Sequence, residues 1–202
     1  MNCIDEIKNY AQKNDIPIIT EEGSRFICDY IQKHKVKTIL EIGTAIGYSA
    51  IRFAKLSDDI YVTTIEIDID NFIKARQNIK DNGLENRVEV IHDDALTLTI
   101  EKKFDLIFID AAKAQYVKFF EKFKKNLNDG GVIISDNLSF HGLVEKENPS
   151  CSYGTKKLLR KIKRYIKFLK ENTEYETEFF KLGDGISVSK KKSNKRIIKN
   201  DL

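Results

Sequence analysis

Two apolar runs in the middle of the chain each close on residues that can do chemistry. Phe104–Asp110 (FDLIFID) ends in Asp110, with Lys113 three residues on, and Val132–Ser135 is followed at once by Asp136 and Asn137. If these runs are neighbouring strands of a parallel sheet, two carboxylates and an amide oxygen converge at one edge. Such hard oxygen donors suit Mg²⁺, which keeps several coordination positions for water or substrate. No His/Cys cluster competes for zinc. A lone Asp after a strand is commonly a loop acid or a cap; the pairing at two strand ends points to a metal.

A second set precedes it. Glu41-Ile42-Gly43-Thr44-Ala45-Ile46-Gly47-Tyr48-Ser49 follows the apolar run Thr38–Ile42. Glycine lets a backbone turn sharply and approach a ligand closely, but the spacing is G-x-x-x-G, not the G-x-G-x-x-G of dinucleotide binders. Tyr61–Glu66 ends in Glu66, where a carboxylate can accept hydrogen bonds from both hydroxyls of a ribose. Asp93-Asp94-Ala95 closes Val88–His92, where an adenine edge would sit, although Asp94 would equally serve as a helix N-cap. Together these features suit a nucleoside ligand without a pyrophosphate, and S-adenosylmethionine is such a ligand.

The elements that must position these residues alternate. Helical patterns at Ser49–Leu56, Asp70–Asn82, Ala114–Leu127 and Thr155–Glu171 separate the strands Thr38–Ile42, Tyr61–Glu66, Val88–His92, Phe104–Asp110 and Val132–Ser135. Asn128-Asp129-Gly130-Gly131 is expected to end the third of these helices. Tyr175–Lys181 and Ile186–Lys190, joined by Gly183-Asp184-Gly185, read as a terminal hairpin. Apolar strands alternating with helices predict an α/β fold: a mostly parallel sheet covered on both faces. Ligands of such sheets bind at the carboxyl ends of the strands. The first residues form helices at Ile4–Lys13 and Glu22–His34 around an extended stretch, Ile16–Thr20, and are expected to cap that edge.

Composition bounds the reading. The 202 residues suit one domain, divided into a helical cap (1–36), a Rossmann-like core (37–190) and a basic tail (191–202). No apolar run approaches the roughly 20 residues of a membrane helix, and the three cysteines fit neither a disulfide framework nor a zinc site, so a cytoplasmic location is expected. Lys156, Lys157, Arg160, Lys161, Lys163, Arg164, Lys167 and Lys170 share one segment without an acid. That segment reads either as a solvated helix face or as a contact surface for a polyanion.

EIGTAIGYS, TTIEID, FIDAAKAQY and ISDN, in this order and spacing, resemble the cation-dependent class I O-methyltransferases, a family that includes catechol and caffeoyl-CoA O-methyltransferases. The similarity runs from about Ile16 to Lys190 and takes in LGDGISVSKK. It implies a Rossmann-like fold with a seven-stranded, mostly parallel sheet, helices on both faces and a terminal antiparallel hairpin. It also implies transfer of a methyl group from S-adenosylmethionine to a hydroxyl oxygen with Mg²⁺. By this resemblance Asp110, Asp136 and Asn137 hold the metal and Lys113 is the general base, which must be neutral to take a proton. Ile19, Glu41, Gly43, Ser49, Glu66, Asp94, Ala95 and Asp110 belong to the cofactor site, with Ser49 near the methionine carboxylate and Glu66 on the ribose.

The catechol enzymes wall a narrow slot with tryptophans, one just before the lysine; here Ala112 stands there and the chain has no Trp. IDAAKAQY and SDN are most similar to the bacterial subgroup that methylates 5-hydroxyuridine in tRNA anticodons. The expected partner is therefore a tRNA anticodon loop, with a small vicinal-hydroxyl substrate such as a catechol as the alternative; a homodimer is common in the family. A nucleotide-binding oxidoreductase is argued against by the missing G-x-G-x-x-G. An RNA-binding module without activity is argued against by the full Asp110/Lys113/Asp136/Asn137 set.

Overall fold

The structure is a computed structural model that describes residues 3–140, 142–146 and 150–192. Among the described residues seven strands form one sheet in the order β3-β2-β1-β4-β5-β7-β6. They are β1 (Thr38–Ile42), β2 (Tyr61–Glu66), β3 (Val88–His92), β4 (Phe104–Ile109), β5 (Leu127–Ser135), β6 (Tyr175–Phe180) and β7 (Ile186–Lys191). The first five pair in parallel, and β7 joins β5 and β6 antiparallel, as the alternating sequence pattern predicts. The strand order reverses between β1 and β4, and this is the crevice where open α/β sheets bind their ligands.

Alternation along the strands splits the core into two layers. Ile39, Val62, Leu106, Phe108, Val132, Ile134 and Val188 face one way. They pack with α1 (Cys3–Lys13), α2 (Glu21–His34), α3 (Tyr48–Ala54) and Ile79 of α4 (Ile69–Asp81). Leu40, Ile42, Ile65, Ile107, Ile109 and Ile133 face the other way, against α5 (Tyr116–Phe123) and α6 (Tyr153–Glu171). Nearly all of these side chains are fully buried, each contributing about 1.5–3 kcal/mol of hydrophobic free energy. Among the described residues, no helix is long and apolar enough to cross a membrane.

Two elements differ from the sequence reading. The helix expected over Ala114–Leu127 is only Tyr116–Phe123, flanked by 3₁₀ turns at Lys113–Gln115 and Lys124–Asn126. Leu127 already pairs with Phe104 in β5, so Asn128-Asp129-Gly130-Gly131 does not end a helix but bulges inside the strand before pairing resumes at Val132. Asn128 donates to Asp105 there, and a Cβ on Gly131 would stand 2.8 Å from the Asp105 carbonyl oxygen, so glycine permits the close return. At the N-terminus α2 covers a sheet face beside α3, and the segment that reaches the carboxyl edge is Pro17–Thr20. The basic tail lies outside the described residues from 193 onward.

Candidate active site

Backbone hydrogen bonds carry the ladder one residue past the strand ends and so align the chemistry. Gly43 N–H donates to the Ile65 carbonyl, Asp110 N–H to Ile42, Asp136 N–H to Ile109 and Asp93 N–H to Glu66, all at 3.0–3.2 Å. Gly43, at φ +98°, lies so close to the end of β4 that a Cβ would stand 2.3 Å from the Asp110 carbonyl oxygen. Only glycine fits this contact. Above this edge opens a cavity of about 670 Å³.

At one end of the cavity the loop after β1 is pinned by carboxylates. Glu66 accepts from the N–H groups of Ala45 (2.7 Å), Ile67 (3.0 Å) and Asp68 (2.9 Å), which fixes its orientation and leaves lone pairs toward the cavity. Ala45 holds a left-handed φ of 45° to make its contact. Glu41 is fully buried and lies behind the wall, accepting from Ser49 Oγ and from Thr64 Oγ1 (2.6 Å), with Thr44 Oγ1 a further 2.6 Å from Thr64 Oγ1. Burial pushes the Glu41 carboxyl up to about 8; the two hydroxyl donors oppose this, and the nearby Asp110 and Glu66 charges add to it.

At the other end the acids crowd together. Asn137, at φ 65°, donates from Nδ2 to Asp110 Oδ1 at 2.9 Å and to Asp136 Oδ2 at 3.3 Å. Asp136 is 1% exposed, and its Oδ1 is buried without a hydrogen-bond partner among the described residues. Burial raises the pKa of both aspartates. Lys113 opposes the rise, whereas Asp184, and for Asp136 also the Asp110 charge, add to it. Lys113 is half-buried, with Nζ 5.9 Å from the centroid of the Phe140 ring. Tyr116 Oη donates to the Asp136 carbonyl at 3.1 Å and steadies the turn from below.

A buried carboxylate with an unpartnered oxygen next to a half-buried one is costly unless a cation or a proton joins them. All the donors are hard oxygens once the Asn137 amide is turned, since its two ends are interchangeable in shape. The arrangement therefore fits a divalent cation. Among the described residues no group of three or more His, Cys, Asp or Glu offers a competing site.

The structure brings Ile19, Gly43, Ser49, Glu66, Asp94, Ala95, Asp110, Lys113 and Asn137 to the lining of this one cavity. Glu41 and Asp136 stand behind it, hydrogen-bonded to Ser49 and Asn137. Asp94 caps a turn, accepting from Leu96 N–H at 2.8 Å, and no helix follows. Sequence reasoning missed Asp184, Phe140 and Tyr48, which also line the cavity. Asp184 carried a readable signal: a strand antiparallel to β5 must start at the carboxyl end of β5, and Ser187 does pair with Ser135. The turn just before β7 therefore had to lie beside Asp136.

A profile of the O-methyltransferase family matches residues 1–192. A caffeoyl-CoA O-methyltransferase of Populus kitakamiensis is 28% identical over 193 residues, 91% of this chain and 82% of that protein. A catechol O-methyltransferase of Niastella koreensis is 28% identical over 171 residues, 81% of this chain and 75% of that protein. Among solved structures, a Staphylococcus aureus protein with a provisional caffeoyl-CoA O-methyltransferase name superposes with a TM-score of 0.90 at 38% identity, covering 94% of this chain and 92% of its own. An O-methyltransferase from Bacillus cereus in complex with SAH superposes with a TM-score of 0.81 at 27% identity, covering 95% and 91%. With the family profile spanning the whole core and the cavity at its switch point, the chain belongs to the O-methyltransferase family.

Proposed function

We propose that this enzyme binds S-adenosylmethionine in the cavity and transfers its methyl group to a hydroxyl oxygen held at a Mg²⁺ site formed by Asp110, Asp136 and Asn137. The observation that carries the reading is the buried Asp136 Oδ1, without a hydrogen-bond partner among the described residues, beside the half-buried Asp110, which lines the same cavity as Gly43, Ser49 and Glu66. Glu66 would take the ribose hydroxyls and Ala95 and Phe119 the adenine, while Ile19 lies along the cofactor. The SAH bound to the Bacillus cereus relative supports the same ligand here. A divalent cation, when bound, supplies Lewis acidity that makes a coordinated hydroxyl more acidic. Lys113, in its neutral amine form, takes the hydroxyl proton on Nζ and becomes the ammonium, and Phe140 closes one side of the acceptor space and keeps water away. Asp110, tied to Asn137, fixes the acceptor oxygen relative to the methyl group, and orientation is the main contribution of the protein.

For the acceptor we propose the 5-hydroxyl of 5-hydroxyuridine in a tRNA anticodon loop. Its 5-hydroxyl and 4-carbonyl are adjacent oxygens, able to chelate one cation as a catechol does. All eight basic residues of α6 from Lys156 to Lys170 are exposed, over about 180° of the helix surface at ~100° per residue. The apolar side of α6 is spent in the core on Leu159, Ile162, Tyr165 and Leu169, so the basic face is left for phosphates and not for insertion into a membrane. α6 also packs against the Lys113–Gln115 turn at the cavity mouth. The names of the Populus and Niastella relatives favour a second reading, a small vicinal-hydroxyl substrate.

Methyl transfer from labelled S-adenosylmethionine, measured on hydroxyuridine-containing tRNA and on catechol, separates the two. A variant with Lys156, Lys157, Arg160 and Lys161 changed to Gln should weaken tRNA binding and reduce its salt slope by about 0.7 for each phosphate no longer neutralised. Catechol turnover should be unchanged by these substitutions. Good turnover of catechol with none of the tRNA establishes the second reading instead.

A further inference from the structure

Between α1 and α2 the chain runs extended, and Pro17, Ile18, Ile19 and Thr20 line the cavity. This strap ends in two adjacent carboxylates that take no part in the chemistry above and are bonded in opposite directions. Glu21 Oε2 accepts from Arg52 Nη1 at 2.8 Å, from Tyr48 Oη at 3.2 Å and from Lys8 Nζ at 3.2 Å. Arg52 and Tyr48 belong to α3, and Tyr48 lines the cavity beside Ser49. The Arg52 hydrogen bond above all, helped by Lys8, holds the Glu21 carboxyl down at about 2. Glu22 reaches the other way: its Oε2 accepts from Gly183 N–H at 2.7 Å. Gly183 passes the strap so closely that a Cβ would stand 2.3 Å from Thr20 Oγ1. The turn it begins carries Asp184, whose carbonyl accepts from Ser139 N–H at 2.6 Å, and Gly185, whose carbonyl accepts from Leu138 N–H at 3.0 Å. Those two donors immediately follow Asn137.

We propose that Glu21 and Glu22 are positioning residues that form a two-sided clasp, locking the Pro17–Thr20 strap over the cofactor and tying its seating to the acceptor end through the Gly183–Gly185 turn. The clasp rests on the reading that the cavity holds S-adenosylmethionine. In this clasp a cofactor enters with the strap lifted, a movement that releases the Glu21 and Glu22 contacts at its end. A seated strap in turn steadies the turn that bears Asp184 and the backbone behind Asn137 and Phe140. Cofactor and acceptor therefore bind with positive coupling, carried by one element with two positions.

The chemistry of the two contacts differs, and this gives the test. Glu22 meets a neutral N–H, so Glu22→Ala breaks the contact while Glu22→Gln, which keeps an acceptor oxygen, restores it. Glu21 meets two cations, so Glu21→Gln behaves like Glu21→Ala. Binding and dissociation of S-adenosylhomocysteine are measured on the full chain, with hydrogen exchange of residues 16–20 and 183–185. Glu21→Gln and Glu22→Ala are expected to speed dissociation and raise KM for S-adenosylmethionine about three- to tenfold, with kcat within about twofold of wild type. Exchange in both segments should rise together in either variant, and Glu22→Gln should match wild type. Arg52→Gln cuts the Glu21 side from its partner and should reproduce Glu21→Gln even if that variant folds poorly. The clasp is overturned if Glu22→Ala and Arg52→Gln leave dissociation within twofold of wild type. It is also overturned if thermal stability falls while dissociation and exchange stay put. A wild-type chain that binds no S-adenosylhomocysteine overturns the cofactor reading itself, a result distinct from either.

Discussion

Glu41→Gln gives a measurement that depends on one buried proton. Glu41 is fully buried, with its carboxyl moved from 4.5 to about 8 chiefly by burial. Between those values the native state keeps a proton that the unfolded chain has released, so the unfolded state binds fewer protons and stability falls as pH rises. The slope is about 1.4 kcal/mol per pH unit, which accumulates to about 5 kcal/mol by pH 8 and then levels off. That is a large part of the roughly 5–15 kcal/mol that holds a domain of this size together. Glutamine has nearly the same shape and cannot ionise. Its oxygen accepts from one of Ser49 and Thr64, and its amide donates to the other, whose hydroxyl rotates; Thr64 can then donate to Thr44. Urea unfolding at several values from pH 5 to 8.5, without cofactor and in EDTA, compares the two proteins. Subtracting the profiles removes the titrating groups that do not interact with Glu41. The proteins should agree to about 1 kcal/mol near pH 5, with the variant about 3–5 kcal/mol more stable at pH 8.5. Parallel profiles across that range would refute the assignment of a buried, proton-holding Glu41.

Asp136→Ala should abolish turnover while S-adenosylhomocysteine still binds, because Asp136 stands behind the cavity wall; EDTA should silence the wild type and Mg²⁺ restore it, and full activity in EDTA would remove the metal from the mechanism. Lys113→Ala should lower kcat about 10²–10³-fold with little change in cofactor affinity, the lower half of the range for a lost general base because the cation also acidifies the acceptor; single-turnover rates within twofold of wild type would exclude the role. Gly43→Ala forces a Cβ to within 2.3 Å of the Asp110 carbonyl oxygen at a φ of +98°, so it should cost more than about 2 kcal/mol in urea unfolding and abolish cofactor binding; a variant as stable as wild type would show that the two loops separate freely.

The sequence by itself determined the sheet and most of the residues at its working edge. Strands such as Thr38–Ile42 and Phe104–Ile109 are short apolar runs, and helices between them force parallel pairing, so Gly43, Glu66, Asp94, Asp110 and Asn137 had to emerge at the same edge. Such local periodicity is readable because it depends on neighbours a few residues apart. What the tertiary structure decided depends on contacts between distant segments. Glu41 sits in the same motif as Gly43, yet it is one step from Ile42, which lines the cavity, so its side chain turns to the other face, where packing against Ser49 and Thr64 placed it behind the wall. The amphipathic pattern through Leu127 suited a longer helix, but pairing of Leu127 with Phe104 drew the chain into β5 before the bulge closed at Val132. Asp184 joined the acceptor end only because β7 runs antiparallel to β5, and Glu21 and Glu22 became a clasp only because α3 and the Gly183 turn flank the strap. Charges on a helix N-terminus look alike in sequence. Which partner each one meets is settled by the packing of elements far apart in the chain, and no local pattern encodes that packing.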